Sequence, residues 1–223
     1  MCQKGQAQGF MNLDFEQAVV TNPPGLNGFP GFALESDAIP GWTATPINNL
    51  SGNRYIGYDS ISLGGAAMFL EDSNAPSGGG PLPIEGNYSV LLEYQSASIG
   101  QTGTIPITAQ SLTFWGNVAG DVQGNTLQIY FNNQALSFEG ISNALNYTVY
   151  AANILPFAGQ TGQLLFGTTG HSIALLDNFQ FSSIPIPEPG EFALAALGAL
   201  LLGFRRWKSN AIQGNCSVGA VRR

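Results

Sequence analysis

Few residues in this chain have the chemistry of an active site, and their spacing argues against most catalytic uses. His171 is the sole histidine, set in the turn-like stretch Gly167-Thr-Thr-Gly-His-Ser172. A Ser-His-acid relay would have to recruit it, yet no GxSxG elbow exists to present the serine. Cys2 and Cys216 sit near the two ends, with no CxxC or Cys/His metal spacing. Gly78-Gly79-Gly80 is followed by Pro81 rather than by a lysine and a helix start, so it is no phosphate cradle. Glycoside hydrolysis needs two carboxylates roughly 5–9.5 Å apart. The nearest pair in sequence, Glu71-Asp72, belongs to a strand-like run in which consecutive side chains point to opposite faces. The residues thus predict a protein that is not an enzyme.

Binding chemistry is better represented. A sugar site stacks a ring on an exposed aromatic and bonds its hydroxyls through Asn, Asp and Gln. Trp42, Tyr55, Tyr58 and Trp115 are the candidate platforms for such glycan contact. The same residue types on strands also serve as core, where their area is buried and their polar tip finds a partner.

The elements that must position these residues are short apolar runs. Phe10–Val20 alternates Leu13 and Phe15 with Asn12, Asp14 and Glu16, which predicts a half-buried strand. Thr21–Gly31 reads as a Pro/Gly loop, and Ile39–Ala44 as a turn leading into a strand with a buried Trp. Further strands are expected over Tyr55–Ile61, Ala66–Leu70, Tyr88–Gln95, Ser111–Asn117, Thr126–Phe131, Gln134–Phe138, Tyr147–Ala151, Gln163–Gly167 and Ile173–Phe181. Ser96–Thr104 reads as a polar link and Asn74–Pro83 as a loop. No stretch before residue 187 carries a helical period of helix length. The pattern predicts an all-β fold, an antiparallel two-sheet jelly-roll-like sandwich, because short links do not accommodate parallel crossovers of about a dozen residues.

Charge sets the limits on partners. Only 9% of the 223 residues are charged, against about a quarter in ordinary soluble domains. Through Ile186 two bases, Lys4 and Arg54, stand against twelve acids. From Pro187 onward five bases stand against two acids. An acidic body with no basic patch excludes nucleic acid as a partner. The basic residues after the body are those expected of a membrane tail.

That tail has three parts in order. Pro187-Glu188-Pro189 ends a Pro-rich extended segment, Phe192–Phe204 is wholly apolar or Gly, and Arg205-Arg206-Trp207-Lys208 follows at once. As a helix the apolar run spans about 20 Å, short of the roughly 30 Å hydrocarbon core, but the Trp and Arg suit an interface and the Arg stems can snorkel. This stretch resembles the PEP-CTERM sorting signal of bacterial envelope proteins. The resemblance implies recognition by an exosortase, a membrane-embedded processing enzyme, and association with exopolysaccharide and biofilm matrix. One departure stands out: Ser209–Arg223 extends past the Arg cluster, where the family's tail usually ends.

The body carries a more diffuse resemblance. Asn12-Leu-Asp-Phe-Glu16, Ile39-Pro-Gly-Trp-Thr43 and Leu176-Asp-Asn-Phe-Gln-Phe181 are similar to segments of galactose-binding-like jelly rolls. In many such domains the first and last strands share a structural calcium. The resemblance implies that Asp14, Glu16 and Asp177 would supply its carboxylates, since calcium takes six to eight oxygens. No other cofactor is expected.

The expected organisation is therefore residues 1–9 as a disordered remnant of a signal region whose true start lies upstream, and residues 10–183 as the sandwich. Residues 184–208 form the sorting signal with a single short C-terminal hydrophobic helix, and residues 209–223 a disordered tail. The expected function is that of an exported structural or interaction protein of the cell envelope or extracellular matrix. The alternatives are a glycan-binding module and, behind it, a glycoside hydrolase-type enzyme, which would need two converging carboxylates in a deep cleft.

Overall fold

The computed structural model describes residues 9–20, 31–50, 52–62, 64–74 and 79–186. The sorting-signal residues Pro187, Glu188, Pro189, Arg205 and Arg206, the apolar run Phe192–Phe204 and all of the expected Thr21–Gly31 loop but Gly31 lie outside these. Among the described residues no helix is long and apolar enough to cross a membrane.

The strands, in chain order, are β1 (Gly31–Leu34), β2 (Thr43–Thr45), β3 (Asn48–Leu50), β4 (Asn53–Tyr58), β5 (Ala67–Asp72), β6 (Tyr88–Glu93) and β7 (Ser98–Thr104). They continue as β8 (Ser111–Ala119), β9 (Leu127–Phe131), β10 (Gln134–Leu136), β11 (Phe138–Asn143), β12 (Thr148–Asn153), β13 (Thr161–Thr168) and β14 (Ile173–Ser182). They form two sheets. The larger runs β1-β4-β5-β6-β14-β8-β12-β11, with β3 also on β4, and the smaller runs β10-β9-β13-β7-β2. From β6 to β14 the chain passes back and forth between the sheets, which is the jelly-roll habit. The chain is an all-β two-sheet sandwich, as its sequence pattern predicts.

The core follows from strand alternation. Leu112 and Phe114 of β8, Leu164 and Phe166 of β13, and Ala174 and Leu176 of β14 all point between the sheets and are fully buried. At one end five rings gather: Phe15, Trp42, Phe114, Phe166 and Phe179. Rings 4.4 to 6.4 Å apart in tilted and edge-on arrangements suit the aromatic quadrupole.

Four expectations need correction. Phe10–Val20 is not a strand. Asn12 and Phe15 take left-handed backbone, φ 50° and 58°, and the segment turns so that Phe15 caps the core. Trp42 Nε1 donates to the Asn12 carbonyl at 2.9 Å, and Asn12 holds the turn by accepting from Gln17 N–H and donating to the Pro40 carbonyl. The left-handed Phe15 costs about 1–2 kcal/mol, which burial of its whole ring offsets.

Ser96–Thr104 is not a mere link, since β7 lies within it and pairs with β13 and β2. Its inward Ile99 and Gln101 are buried; its Gly and polar residues concealed the strand. The ladders are not all antiparallel. β4 and β5 run parallel, overlapping only at Gly57–Tyr58 against Phe69–Leu70. So brief an overlap needs no long crossover, and the return passes across the large sheet, with Ser62 N–H bonded to Glu93 Oε2. Finally, β1, β3 and most of β11 arise where no strand is expected.

Candidate functional site

The outward face of the large sheet holds the residues with binding chemistry, and a bulge in β14 arranges them. Asp177 pairs across the ladder with Trp115, and the next register pair is Gln180 with Thr113. Asn178, with φ 48°, and Phe179 together stand opposite Phe114 alone, so the bulge takes up one extra residue. Phe179 therefore turns into the core, 1% exposed, while Asp177 and Gln180 both lie on the outward face. Regular alternation would have put Asp177 and Phe179 on the same face.

Trp115 is half-buried on this face, and Tyr147, just before β12, stacks on it. Their ring centroids are 4.6 Å apart and the planes 14° from parallel. Thr113 and Asn117 are its same-face neighbours along β8, and Gln180 lies across on β14. A shallow hollow of about 240 Å³ lies at the sheet's edge, lined by Gly116, Val118, Thr148 and Tyr150 from the opposite face and by Asn117 and the turn Ala144–Tyr147; Trp115 does not line it. Leu145 at its rim is fully exposed. No ionised side chain lines this hollow.

Next to Asp177 lies a second hollow of about 300 Å³, lined by Asp14, Glu16, Glu85, Gly86, Asp177 and Asn178. The three carboxylates expected to bind calcium are thus brought to one place. Most of their oxygens are already engaged. Glu16 Oε1 accepts from Asn87 N–H and Tyr88 N–H at 2.7 and 2.9 Å, and Oε2 from Asn87 Nδ2. Gly86, at φ 62°, makes room, because a Cβ there would lie 2.3 Å from Glu16 Oε1. Asp177 Oδ2 accepts from the Ser89 hydroxyl at 2.7 Å and Glu85 N–H, and Oδ1 from Asn178 N–H. Asp14 accepts from Glu16 N–H. Among the described residues no three His, Cys, Asp or Glu side chains converge on a metal-sized point. The visible work of Glu16 and Asp177 is to fasten the turn before β6 to the first and last parts of the chain. Burial raises the Asp177 carboxyl to about 7, against the pull of its Ser89, Asn178 and Glu85 donors.

The other candidates fall elsewhere. Trp42 is 3% exposed in the core, so its ring has no face for a ligand, which removes it as a glycan platform. Tyr58 packs against the core and donates its hydroxyl to Asp72 Oδ2 at 2.5 Å; burial, and then that bond, raise its pKa. Tyr55 is half-buried on β4 between β1 and β3, apart from the Trp115 pair. His171 lies exposed in the turn before β14, edge-on to Tyr94, and its N–H donates to Asp121. Sequence reasoning missed Tyr147 as a site residue, and Glu85, Gly86 and Asn178 as partners of the expected carboxylates. The Glu85-Gly86-Asn87 turn is visible in sequence, but nothing there joins it to Asp177, 90 residues on.

No family model and no curated protein matches the chain. Two solved structures align in part. One is a glycoside hydrolase family 43 arabinoxylan arabinofuranohydrolase from Bacillus subtilis, solved with cellotetraose: 17% identity, TM-score 0.35, covering 52% of this chain and 24% of that one. The other is the enzymatically active domain of tailspike protein 4 of bacteriophage CBA120: 16% identity, TM-score 0.35, covering 64% of this chain and 19% of that one. The chain spans a quarter or less of either, and likeness at this level carries no argument about function.

Proposed function

We propose that this chain is an exported interaction module that binds glycan through the Trp115–Tyr147 face and carries out no catalysis. The observation that carries this reading is the stacked, half-exposed Trp115–Tyr147 pair, flanked by Asn117, Gln180 and Thr113. Aromatic faces take the apolar face of a sugar ring, and neutral amides and hydroxyls match its hydroxyls without the desolvation penalty of a charge. A binding role also fits the placement of the acids. Glu71 and Glu93 are buried, and in their hollow Glu16 and Asp177 are taken up by main-chain and side-chain donors.

Delivery to the envelope or matrix rests on the tail, where Pro187-Glu188-Pro189, the apolar run and Arg205-Arg206 resemble an exosortase substrate. An extracellular species ending near Pro189 in the mass spectrum of the native protein supports this; a full-length cytosolic species overturns it. The binding reading is tested by affinity electrophoresis of the full chain through gels containing soluble bacterial and plant polysaccharides. At least one should retard it, and Trp115→Ala should weaken retardation about tenfold or more with an unchanged far-UV spectrum. Equal retardation of the variant, or none of the wild type by any polysaccharide, sinks the reading.

A further inference from the structure

One end of the sandwich is built without charge. There β14 runs out past Ser182, the β7–β8 connection crosses beside it, and the β12–β13 connection folds over both. Main-chain bonds stitch the three together: Gln110 N–H to the Ser182 carbonyl at 2.8 Å, Ile154 N–H to the Gln110 carbonyl and Gly159 N–H to the Ile105 carbonyl, both at 3.0 Å. Residues 104–111, 153–161 and 182–186 hold no ionisable side chain, although the chain through Ile186 carries twelve acids. The acid on the flanking strand β11, Glu139, stands opposite Ala151, two residues in from the end of β12.

Each of the three segments puts an aliphatic side chain into solvent beside a proline: Ile107 after Pro106, Leu155 before Pro156 and Ile184 before Pro185. They are 83%, 54% and 71% exposed. One such residue is ordinary on a protein surface. Three on stitched segments, with no charge among them, form an apolar tip. The main chain around them is satisfied from within. Leu155 N–H donates to Asn153 Oδ1 at 3.1 Å and Ile184 N–H to the Ser182 hydroxyl oxygen at 3.0 Å. Ala109 N–H closes on the Pro106 carbonyl at 2.9 Å, and the prolines have no N–H to satisfy. Water would serve such groups at no cost; a lipid boundary would not.

The chemistry of the tip and the chain beyond it together select its occupant. Five residues after Ile186 come the apolar run Phe192–Phe204 and then Arg205-Arg206-Trp207-Lys208. The six residue steps from Ile186 to Phe192 reach about 20 Å at full stretch, so an apolar run held in a membrane keeps this end near the lipid. Anionic headgroups repel the acids found elsewhere on the body, but not this end. A second copy is a poorer fit, because three aliphatic side chains fall well short of the roughly 800 Å² per partner that a stable protein contact buries. We propose that Ile107, Leu155 and Ile184 rest in the headgroup boundary of a lipid bilayer and set the sandwich end-on to the membrane, an orientation that rests on the tail's being a membrane segment.

The test uses the full chain with Cys2→Ser and Cys216→Ser and one added cysteine, Ile107→Cys, Leu155→Cys or Ile184→Cys, carrying an environment-sensitive fluorophore. The vesicles contain phosphatidylethanolamine and phosphatidylglycerol in equal parts. On chains that float with the vesicles, all three labels should shift to the blue and be quenched from lipid at a depth of about 5–10 Å. A label at Val122→Cys, 96% exposed in the turn beyond the far end of β8, should stay unshifted. Floating chains with all three labels unshifted overturn the proposal and leave the tail as an anchor. A shift at Val122 equal to the others also overturns it. A blue shift without vesicles that grows with protein concentration overturns it in favour of a second copy. Chains that do not float remove the membrane reading of the tail and the end-on orientation together.

Discussion

The bulge in β14 invites a decisive perturbation, Phe179→Ala. In regular alternation Phe179 would share a face with Asp177, and its truncation would remove a surface ring at little cost. In the structure Phe179 is 1% exposed and lies 4.4 Å from Phe166, 5.5 Å from Trp42, 5.7 Å from Phe15 and 5.9 Å from Phe114, centroid to centroid. Truncating a core Phe to Ala costs about 3–5 kcal/mol through lost transfer energy and the cavity left behind. Four aromatic neighbours, and a site hemmed in by two sheets that cannot collapse, put the expected value near the upper end. At about 2–4 °C per kcal/mol for a domain of this size, the melting temperature should fall by about 8–20 °C. Urea unfolding followed by near-UV circular dichroism reports it directly, because Trp42 sits in the same cluster. The loss should also loosen the bulge that holds Asp177 and Gln180 outward, and so weaken polysaccharide retardation. A cost under about 1 kcal/mol would mean that Phe179 does not face the core and would refute the register.

Further outcomes follow from the same geometry. Arg54→Met should cost about 2–4 kcal/mol in urea melts, because it leaves the 8%-exposed Glu35 carboxylate without its counter-ion, held only by the Ala44 N–H; a cost within error would show that the ion pair contributes nothing measurable. Glu16→Gln and Gly86→Ala should each cost about 1–2 kcal/mol, the first by losing acceptors for Asn87 and Tyr88, the second by crowding that carboxylate. Their double variant should fall short of the sum, and strict additivity would separate the two. Asp177 is raised to about 7 when folded, so its protonation stabilises the fold at low pH and that contribution is lost as pH rises from about 4 to 7, by of order 4 kcal/mol at most. Asp177→Asn lacks this slope, so the stability gap between wild type and variant should narrow across that window; parallel pH profiles would contradict it.

The sequence by itself determined the class of fold and the location of most strands. Runs such as Tyr88-Ser-Val-Leu-Leu-Glu93 and Thr113-Phe-Trp115 carry β-branched and aromatic residues at a period of two between Gly and Asn turns, and that pattern suits only a pleated sheet buried on one or both sides. The charge asymmetry and the three-part tail are likewise properties of composition and order alone. Local pattern misread the pieces whose conformation depends on distant partners. Asn12 and Phe15 leave strand geometry because Trp42 Nε1 and the aromatic cluster reward a turn there. Ser98–Thr104 becomes a strand because β13 and β2 supply hydrogen bonds that its Gly-rich sequence does not advertise. The parallel β4–β5 ladder exists because a two-residue overlap escapes the usual length rule. Burial of Trp42 was legible in its turn-then-strand setting, but tertiary structure alone closed its ring off against Phe15 and left Trp115 on the outward face of β8 with Tyr147 stacked on it. Tertiary structure also buried Glu71 beneath Gly80, since the burial of a charge depends on what the rest of the chain lays over it.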